Sequence, residues 1–332
     1  MNENVETKEV SKKLTQPIMD LITKFFQTKV DDFSKDGDRP SSYQAQSIVD
    51  SYALKCASVS GFASLAPGPL GMLTIIPDLI IVLRLQTEML AKLSVAYNKE
   101  KVISKELVLF MLFQSVGVSG IKFVVVKSAQ VVVKRASARL LQRIVSMMGG
   151  RVLQRTAGQA VARWIPGLGA AAMAIWVRYM TRKIGSEAMH LLSKDIVFEG
   201  EFDEESTMDE MNETINKEIS PLQEIKKLKA LIKVAQADGF IHDNERKLFI
   251  ESIDKSGINQ SIKNELISAL TPDNDITLVL PKLQTEDEKV AFMLQLIAMA
   301  KIDNHFSEKE KVLILDIGKK LDLDDDDIMA LL

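Results

Sequence analysis

Apolar residues recur at helical spacing along most of this chain, and breaks rich in Gly and Pro separate the runs. Residues 41–61 predict one helix, residues 63–73 break the pattern, and helical spacing resumes from Ile76 to Lys99. Pro77 is tolerated in the first turn of a helix, and Asp78 is favourable beside the positive end of the helix dipole. We therefore predict an all-α fold with a helix that begins close to Pro77.

Residues 122–135 carry β-branched triplets that suit a β-hairpin as well as a helix. We predict a helix because the segments on both sides are helical in pattern. Such a helix places Arg135, Arg139 and Arg143 on one face, since side chains four residues apart are neighbours there.

The most apolar window runs from Val59 to Leu83, and Asp78 is its only charged residue. A window of this length is sufficient to cross a bilayer. The Gly and Pro residues and the carboxylate inside it instead favour a re-entrant hairpin or a hairpin buried in a protein core. The sequence leaves membrane insertion and a buried core open.

The final third of the chain contains an internal duplication with a shift of 65 residues. The stretch AQADGFIHDNE, from Ala235 to Glu245, corresponds to AKIDNHFSEKE, from Ala300 to Glu310. In each copy an apolar helix is expected to end before an acidic turn, and a second helix is expected to follow. The duplication predicts two helix-loop-helix halves whose acidic loops face each other across a pseudo-twofold axis.

On these two stretches, residues 221–332 resemble the tellurite-resistance TerB family, an all-helical fold of two such repeats. The resemblance implies a metal-associated acidic cluster, which is carried over only to the repeat-equivalent acids Asp238, Glu245, Asp303 and Glu310.

The chemistry of these four acids allows two interpretations. If the loops meet, the carboxylates repel one another, and a divalent cation such as Ca²⁺, Mg²⁺ or Mn²⁺ supplies the counter-charge. Alternatively Glu310 forms a capping box with Ser307, and Asp238 and Asp303 accept hydrogen bonds from loop amides. His242 and His305 are not repeat-equivalent, so we interpret them as exposed loop residues.

The net charge of −3 conceals a strong asymmetry along the chain. Residues 99–194 contain 16 basic and 3 acidic side chains, whereas residues 195–332 contain 16 basic and 31 acidic ones. The single cysteine, Cys56, excludes an intramolecular disulfide, and the first residues lack the basic and apolar regions of a signal peptide. We expect a cytoplasmic protein in which Cys56 is a small packed residue.

The basic middle segment has three candidate partners. Its cations suit the anionic lipids of an inner membrane leaflet, and the acidic C-terminal part of the same chain could cover them instead. Nucleic acid is the third candidate, but aromatic residues for base stacking are nearly absent there. The residues predicted to bind anionic lipid are Lys127, Lys134, Arg135, Arg139, Arg143, Arg151 and Arg155.

Two further stretches, Ser60–Lys99 and Arg163–Gly185, share a break rich in Gly and Pro followed by a helix. The first helix carries Arg84 and Gln86, and the second carries Thr181 and Arg182. On these motifs residues 41–194 resemble the EcsC family of bacterial, helical, membrane-associated proteins. That resemblance implies membrane association without an established reaction.

The sequence contains no Gly-x-Ser-x-Gly elbow, Walker A loop, His-Glu-x-x-His or paired Cys, so we predict a protein that is not an enzyme. Its alternatives are a carboxylate-metal hydrolase that uses the duplicated loops and a nucleic-acid-binding protein. We expect two helical domains in a protein peripheral to the inner membrane, and the resemblances imply a role in envelope stress, tellurite resistance or defence. The predicted organisation is a helical arm (1–40), an apolar and basic domain (41–194), an acidic linker (195–220) and a duplicated helix-loop-helix bundle (221–332).

Overall fold

Helices form most of the described chain in the computed structural model, and three strands form a small sheet. The predicted helical character is therefore confirmed, whereas the prediction of a fold without strands is wrong. The structure describes residues 14–35, 39–60, 70–113, 123–146, 168–202, 221–239, 241, 243–255, 258–271, 277–283, 286–301, 306–323, 328–329 and 331.

The chain divides into two compact units. The first unit contains Met1–Gly158 and Met173–Lys217, and the second contains Gln159–Ala172 and Glu218–Leu332. The first unit holds the sheet and the basic residues of the middle segment that the structure describes. The second unit holds the duplicated acidic segment.

The first described helix extends over residues 14–35, and its central turn, Leu21–Phe25, is π-helical before α1 (Phe26–Lys35). An apolar side chain returns to the same face every four residues and is buried there: Leu14, Ile18, Ile22, Phe26 and Val30. The buried face of this helix belongs to the core of the first unit.

A 3₁₀ turn at Ser42–Gln44 leads into α2 (Ala45–Ser60), which is the helix predicted over residues 41–61. It packs against α3 (Leu70–Ala96), the longest helix of the described chain, and α4 (Lys105–Phe113) follows. Among the described residues, no helix combines the length and the apolar character needed to cross a bilayer.

The predicted helix start at Pro77 and Asp78 is wrong, because α3 begins at Leu70 and continues through Pro77. Proline inside a helix removes one backbone hydrogen bond and favours a kink, but it does not always end the helix. Asp78 is consequently a residue of the helix body, and it does not serve as an anion at the helix start.

The helix predicted over residues 122–135 is also wrong, because the two valine triplets form strands. β1 (Val124–Val126) and β2 (Gln130–Arg135) pair in antiparallel register, with Val124 opposite Val133. β-Branched side chains fit a pleated surface well, and the core buries Val131 and Val133 completely.

β3 (Asp195–Glu201) pairs with β2 in parallel, so the sheet order is β1-β2-β3. A short helix at residues 138–146 and α5 (Leu168–Leu192) lie between these paired strands in the chain. Residues 195–201 open the stretch interpreted as an acidic linker, and residues 203–220 of that stretch lie outside the described residues.

The second unit contains five helices of defined extent within its described residues. They are α6 (Pro221–Ala235), α7 (Asp243–Lys255), α8 (Gln260–Ser268), α9 (Glu286–Ala300) and α10 (Glu308–Lys320). The helix α9 begins and ends 65 residues after α6, and α10 begins and ends 65 residues after α7. The helices of this unit thus repeat with the shift found in the sequence.

Buried positions follow the same shift. Leu231 and its equivalent Leu296 are both buried, and so are Ile258 and its equivalent Leu323. The two halves therefore share one apolar pattern, and their equivalent helices α6 and α9 pack against each other.

Candidate functional site

The first acidic turn follows α6, where Asp238 is half-buried in the turn that ends the helix. The next residue, Gly239, has a φ of +99°, a left-handed conformation that glycine adopts without a steric cost. The backbone N–H of Gly239 donates a hydrogen bond to the Gln236 carbonyl oxygen at 3.0 Å. The Asp-Gly pair therefore turns the chain as the sequence predicted.

The capping box predicted at the start of α10 is confirmed. The Glu310 backbone N–H donates to Ser307 Oγ at 3.2 Å, and the Ser307 N–H donates to Glu310 Oε2 at 2.7 Å. The Glu310 residue is only 3% exposed, so this carboxylate is held inside the unit. One oxygen of Glu310 therefore serves its own helix.

The other predicted metal ligands are less fully placed. Glu245 lies in the first turn of α7, but its side chain lies outside what the structure describes, and so does the whole of Asp303. His242 and His305, which we predict to be exposed loop residues, also lie outside the described residues. Within the described residues, no group of three or more His, Cys, Asp or Glu side chains could hold a metal ion. The convergence of Asp238, Glu245, Asp303 and Glu310 stays a prediction.

Besides Arg135, four of the predicted lipid-binding cations are exposed in the first unit. Lys127 lies at the tip of the β1–β2 hairpin, Lys134 on β2, and Arg139 and Arg143 on the helix at residues 138–146. We call these four residues the docking surface. Arg151 and Arg155 lie outside the described residues.

Arg135 does not share a helix face with Arg139 and Arg143, because it is the last residue of β2. Its Nη1 lies 3.7 Å from Glu106 Oε2, and its guanidinium carbon lies 4.2 Å from the centroid of the Phe198 ring. The strand thus directs Arg135 towards an interior carboxylate, and the predicted three-arginine face is wrong.

Sequence reasoning did not identify Glu106 as a site residue. It lies in the first turn of α4 with 0% exposure, and its Oε1 accepts a hydrogen bond from the Ala136 N–H at 3.2 Å. The available signal was its rarity, because it is one of 3 acids among residues 99–194. Nothing local in the sequence indicates that its partners come from β2.

Lys194 supports the hairpin that carries Lys127. Its Nζ donates hydrogen bonds to the carbonyl oxygens of Lys127 and Ser128, at 3.1 and 3.0 Å. The next residue, Asp195, donates its backbone N–H to the Ala129 carbonyl at 3.2 Å. The start of β3 therefore fixes the tip of the β1–β2 hairpin.

The motif residues of the two Gly/Pro-flanked helices contact other helices of the first unit. Gln86 Nε2 donates to Thr181 Oγ1 at 3.0 Å, with both residues buried. Arg182 pairs with Asp50 at 2.9 Å, and Arg84 lies 4.7 Å from the Phe25 ring centroid. These contacts join the first described helix, α2, α3 and α5 and thereby stabilise the helical core.

Cys56 is fully buried beside Val82 and Val177, as expected of a small packed residue. Burial raises the pKa of the Cys56 thiol from 9.0 to about 11, while a hydrogen bond with Thr181 acts in the opposite direction. Burial, together with the Glu88 carboxylate, also raises the pKa of Tyr52. A thiol held neutral in this way is a poor nucleophile.

The chain matches no protein-family model, no curated protein and no solved structure. Its resemblances to the EcsC and TerB families therefore stay predictions from the motif residues.

Proposed function

We propose that this protein is a non-enzymatic peripheral membrane protein that binds the anionic inner leaflet through the docking surface. The observation that carries the proposal is the exposure of all four cations on one hairpin and the helix that follows it. Each Lys or Arg near an anionic leaflet contributes about 1 kcal/mol, and salt weakens the attraction.

Apolar side chains accompany these cations at the hairpin. Val125 and Val126 are each 42% exposed on β1, directly before Lys127 at the tip. Exposed apolar groups beside cations suit the boundary between lipid headgroups and acyl chains. The hydrogen bonds from Lys194 hold this tip in place, so little further ordering is required when it binds.

The second unit supplies an acidic regulatory module in this proposal. Carboxylate oxygens are the donors that Ca²⁺, Mg²⁺ and Mn²⁺ prefer, so Asp238, Glu245, Asp303 and Glu310 fit a hard divalent cation by their chemistry. The capping box of Glu310 limits that fit, because the Ser307 N–H already occupies Oε2. A bound cation would neutralise part of the acidic charge, while the module itself performs no reaction.

Vesicle flotation tests the docking proposal. Full-length protein should float with phosphatidylcholine vesicles that contain phosphatidylglycerol, and should not float with phosphatidylcholine alone. Changing Lys127, Lys134, Arg139 and Arg143 to Gln together should weaken binding on the order of a hundred-fold or more, because four contributions of about 1 kcal/mol are lost.

A matched control variant removes the same charge elsewhere. Lys101, Arg178, Lys247 and Lys309 are exposed and lie outside the docking surface, so their change to Gln should leave flotation nearly unaltered. If the two variants lost the same amount of vesicle binding, net charge alone would explain binding and the docking surface would have no specific role. Equally strong, salt-dependent binding of the wild type to duplex DNA would favour the nucleic-acid alternative.

A further inference from the structure

Glu106 and Arg135 form an ion pair between the core of the first unit and its surface. Glu106 is completely buried, whereas the Arg135 side chain is 55% exposed. The Ala136 N–H binds Glu106 Oε1, and among the described residues Oε2 has no hydrogen-bond partner and lies 3.7 Å from Arg135 Nη1. Arg135 is thus the cation that compensates this buried charge.

Removing the guanidinium from this position is strongly unfavourable. A buried carboxylate without a counter-charge bears the full cost of its lost hydration. If Arg135 turned outwards to a lipid phosphate, Glu106 would be left in that state. The energy gained at the membrane by one exposed cation is smaller than the cost of this loss.

Other contacts keep Arg135 in the same place. Its guanidinium lies over the Phe198 ring on β3, and its carbonyl oxygen accepts a hydrogen bond from the Phe202 N–H at 2.9 Å. Arg135 nevertheless follows Lys134 of the docking surface directly in the chain. Because its side chain is already 55% exposed, Arg135 can turn outwards and join the docking surface once the interior charge is removed.

We propose that Glu106 withholds Arg135 from the docking surface, so that four cations rather than five are available to anionic lipid. The proposal rests on the proposed function, because it concerns the same membrane contact. It assigns Glu106 as a positioning residue that sets the affinity of the surface without touching lipid.

Flotation of single and double variants tests this assignment. Glu106→Gln should bind phosphatidylglycerol vesicles about five-fold more tightly, the factor that one further cation supplies. Arg135→Gln should leave the affinity nearly unchanged, whereas Lys134→Gln should weaken it about five-fold. The double variant Glu106→Gln/Arg135→Gln should lose the gain, because the released cation is absent. A loss in Arg135→Gln equal to that in Lys134→Gln would overturn the proposal.

Arginine labelling with phenylglyoxal gives a readout that needs no lipid. In the wild-type protein Arg139 and Arg143 should react faster than Arg135, and Glu106→Gln should bring the rate at Arg135 close to theirs. Equal rates at the three arginines of the wild type would refute the proposal even if the protein floats. Conversely, slow labelling of Arg135 without flotation would leave this assignment supported and the proposed membrane function rejected.

Discussion

Two buried glutamates occupy the first turns of helices in the two units, and they obtain their partners in different ways. Glu310 on α10 binds the backbone of Ser307, three residues earlier in the chain. Glu106 on α4 binds Ala136, 30 residues later, and pairs with Arg135, the last residue of β2. A serine precedes each glutamate and caps its helix, since Ser104 Oγ accepts the Leu107 N–H as Ser307 Oγ accepts that of Glu310.

The two glutamates show that a buried acid can obtain its partners from its own helix or from a distant part of the chain. The environment of Glu310 is local, so its loss should affect one helix end. The environment of Glu106 is assembled by the fold, so its loss should affect the packing of a helix on a sheet. The same residue type in the same kind of helix turn therefore has a different energetic role in each unit.

The largest expected effect comes from breaking the long-range pair. Arg135→Gln should lower the free energy of unfolding by about 4 kcal/mol, because it leaves Glu106 buried without a counter-charge. Urea unfolding followed by circular dichroism measures this change.

The double variant Glu106→Gln/Arg135→Gln should recover most of that loss, because no buried charge then needs compensation. Lys134→Gln, a change at the adjacent exposed residue, is the control and should alter stability little. A cost in Arg135→Gln as small as that in Lys134→Gln would show that solvent already compensates Glu106.

Alkaline pH tests a second side chain whose surroundings are non-local. The folded-state pKa of Cys56 is raised from 9.0 to about 11, so the folded protein binds this proton more tightly than the unfolded chain does. The resulting stability is fully present below pH 9, and it is lost as the pH rises through about 11. The raised pKa of Cys56 therefore contributes on the order of 3 kcal/mol to the free energy of unfolding below pH 9.

Thermal unfolding from pH 8 to 11 measures this dependence, and Cys56→Ala is the matched control because it removes the titrating thiol. The variant should lose less thermal stability at alkaline pH, and the raised pKa of Tyr52 contributes to the loss that remains. Identical pH profiles for the two proteins would contradict the assignment.

The smallest effect is expected at the local glutamate. Ser307→Ala should cost about 1 kcal/mol, because the Glu310 N–H loses its capping partner. Glu310→Gln should cost less, since a glutamine oxygen can also accept the Ser307 N–H.

Glu310→Gln also distinguishes capping from cation binding. Millimolar Ca²⁺ or Mg²⁺ should raise the Tm of the wild-type protein and have little effect on the variant. An unchanged wild-type Tm would favour the capping interpretation.

The same distinction explains what could be predicted from the sequence. The capping box and the repeat halves were predictable, because residues a few positions apart specify a helix start and a shift of 65 residues preserves the apolar pattern. The local sequence of the valine triplets suits a helix as well as a strand, and their strand conformation depends on the pairing of β2 with β3, which is distant in the chain. The Glu106–Arg135 pair could not be predicted, because it exists only once that sheet has formed.

The hydrogen bonds of Lys194 have a consequence for the order of folding. Lys194 lies 67 residues after Lys127, yet it holds the tip of the β1–β2 hairpin. During synthesis the hairpin emerges from the ribosome well before α5 and β3, which complete its support. A nascent chain that ends before Lys194 therefore carries the basic hairpin without the hydrogen bonds that hold its tip. The tip can reach its final conformation only after Lys194 has been synthesised.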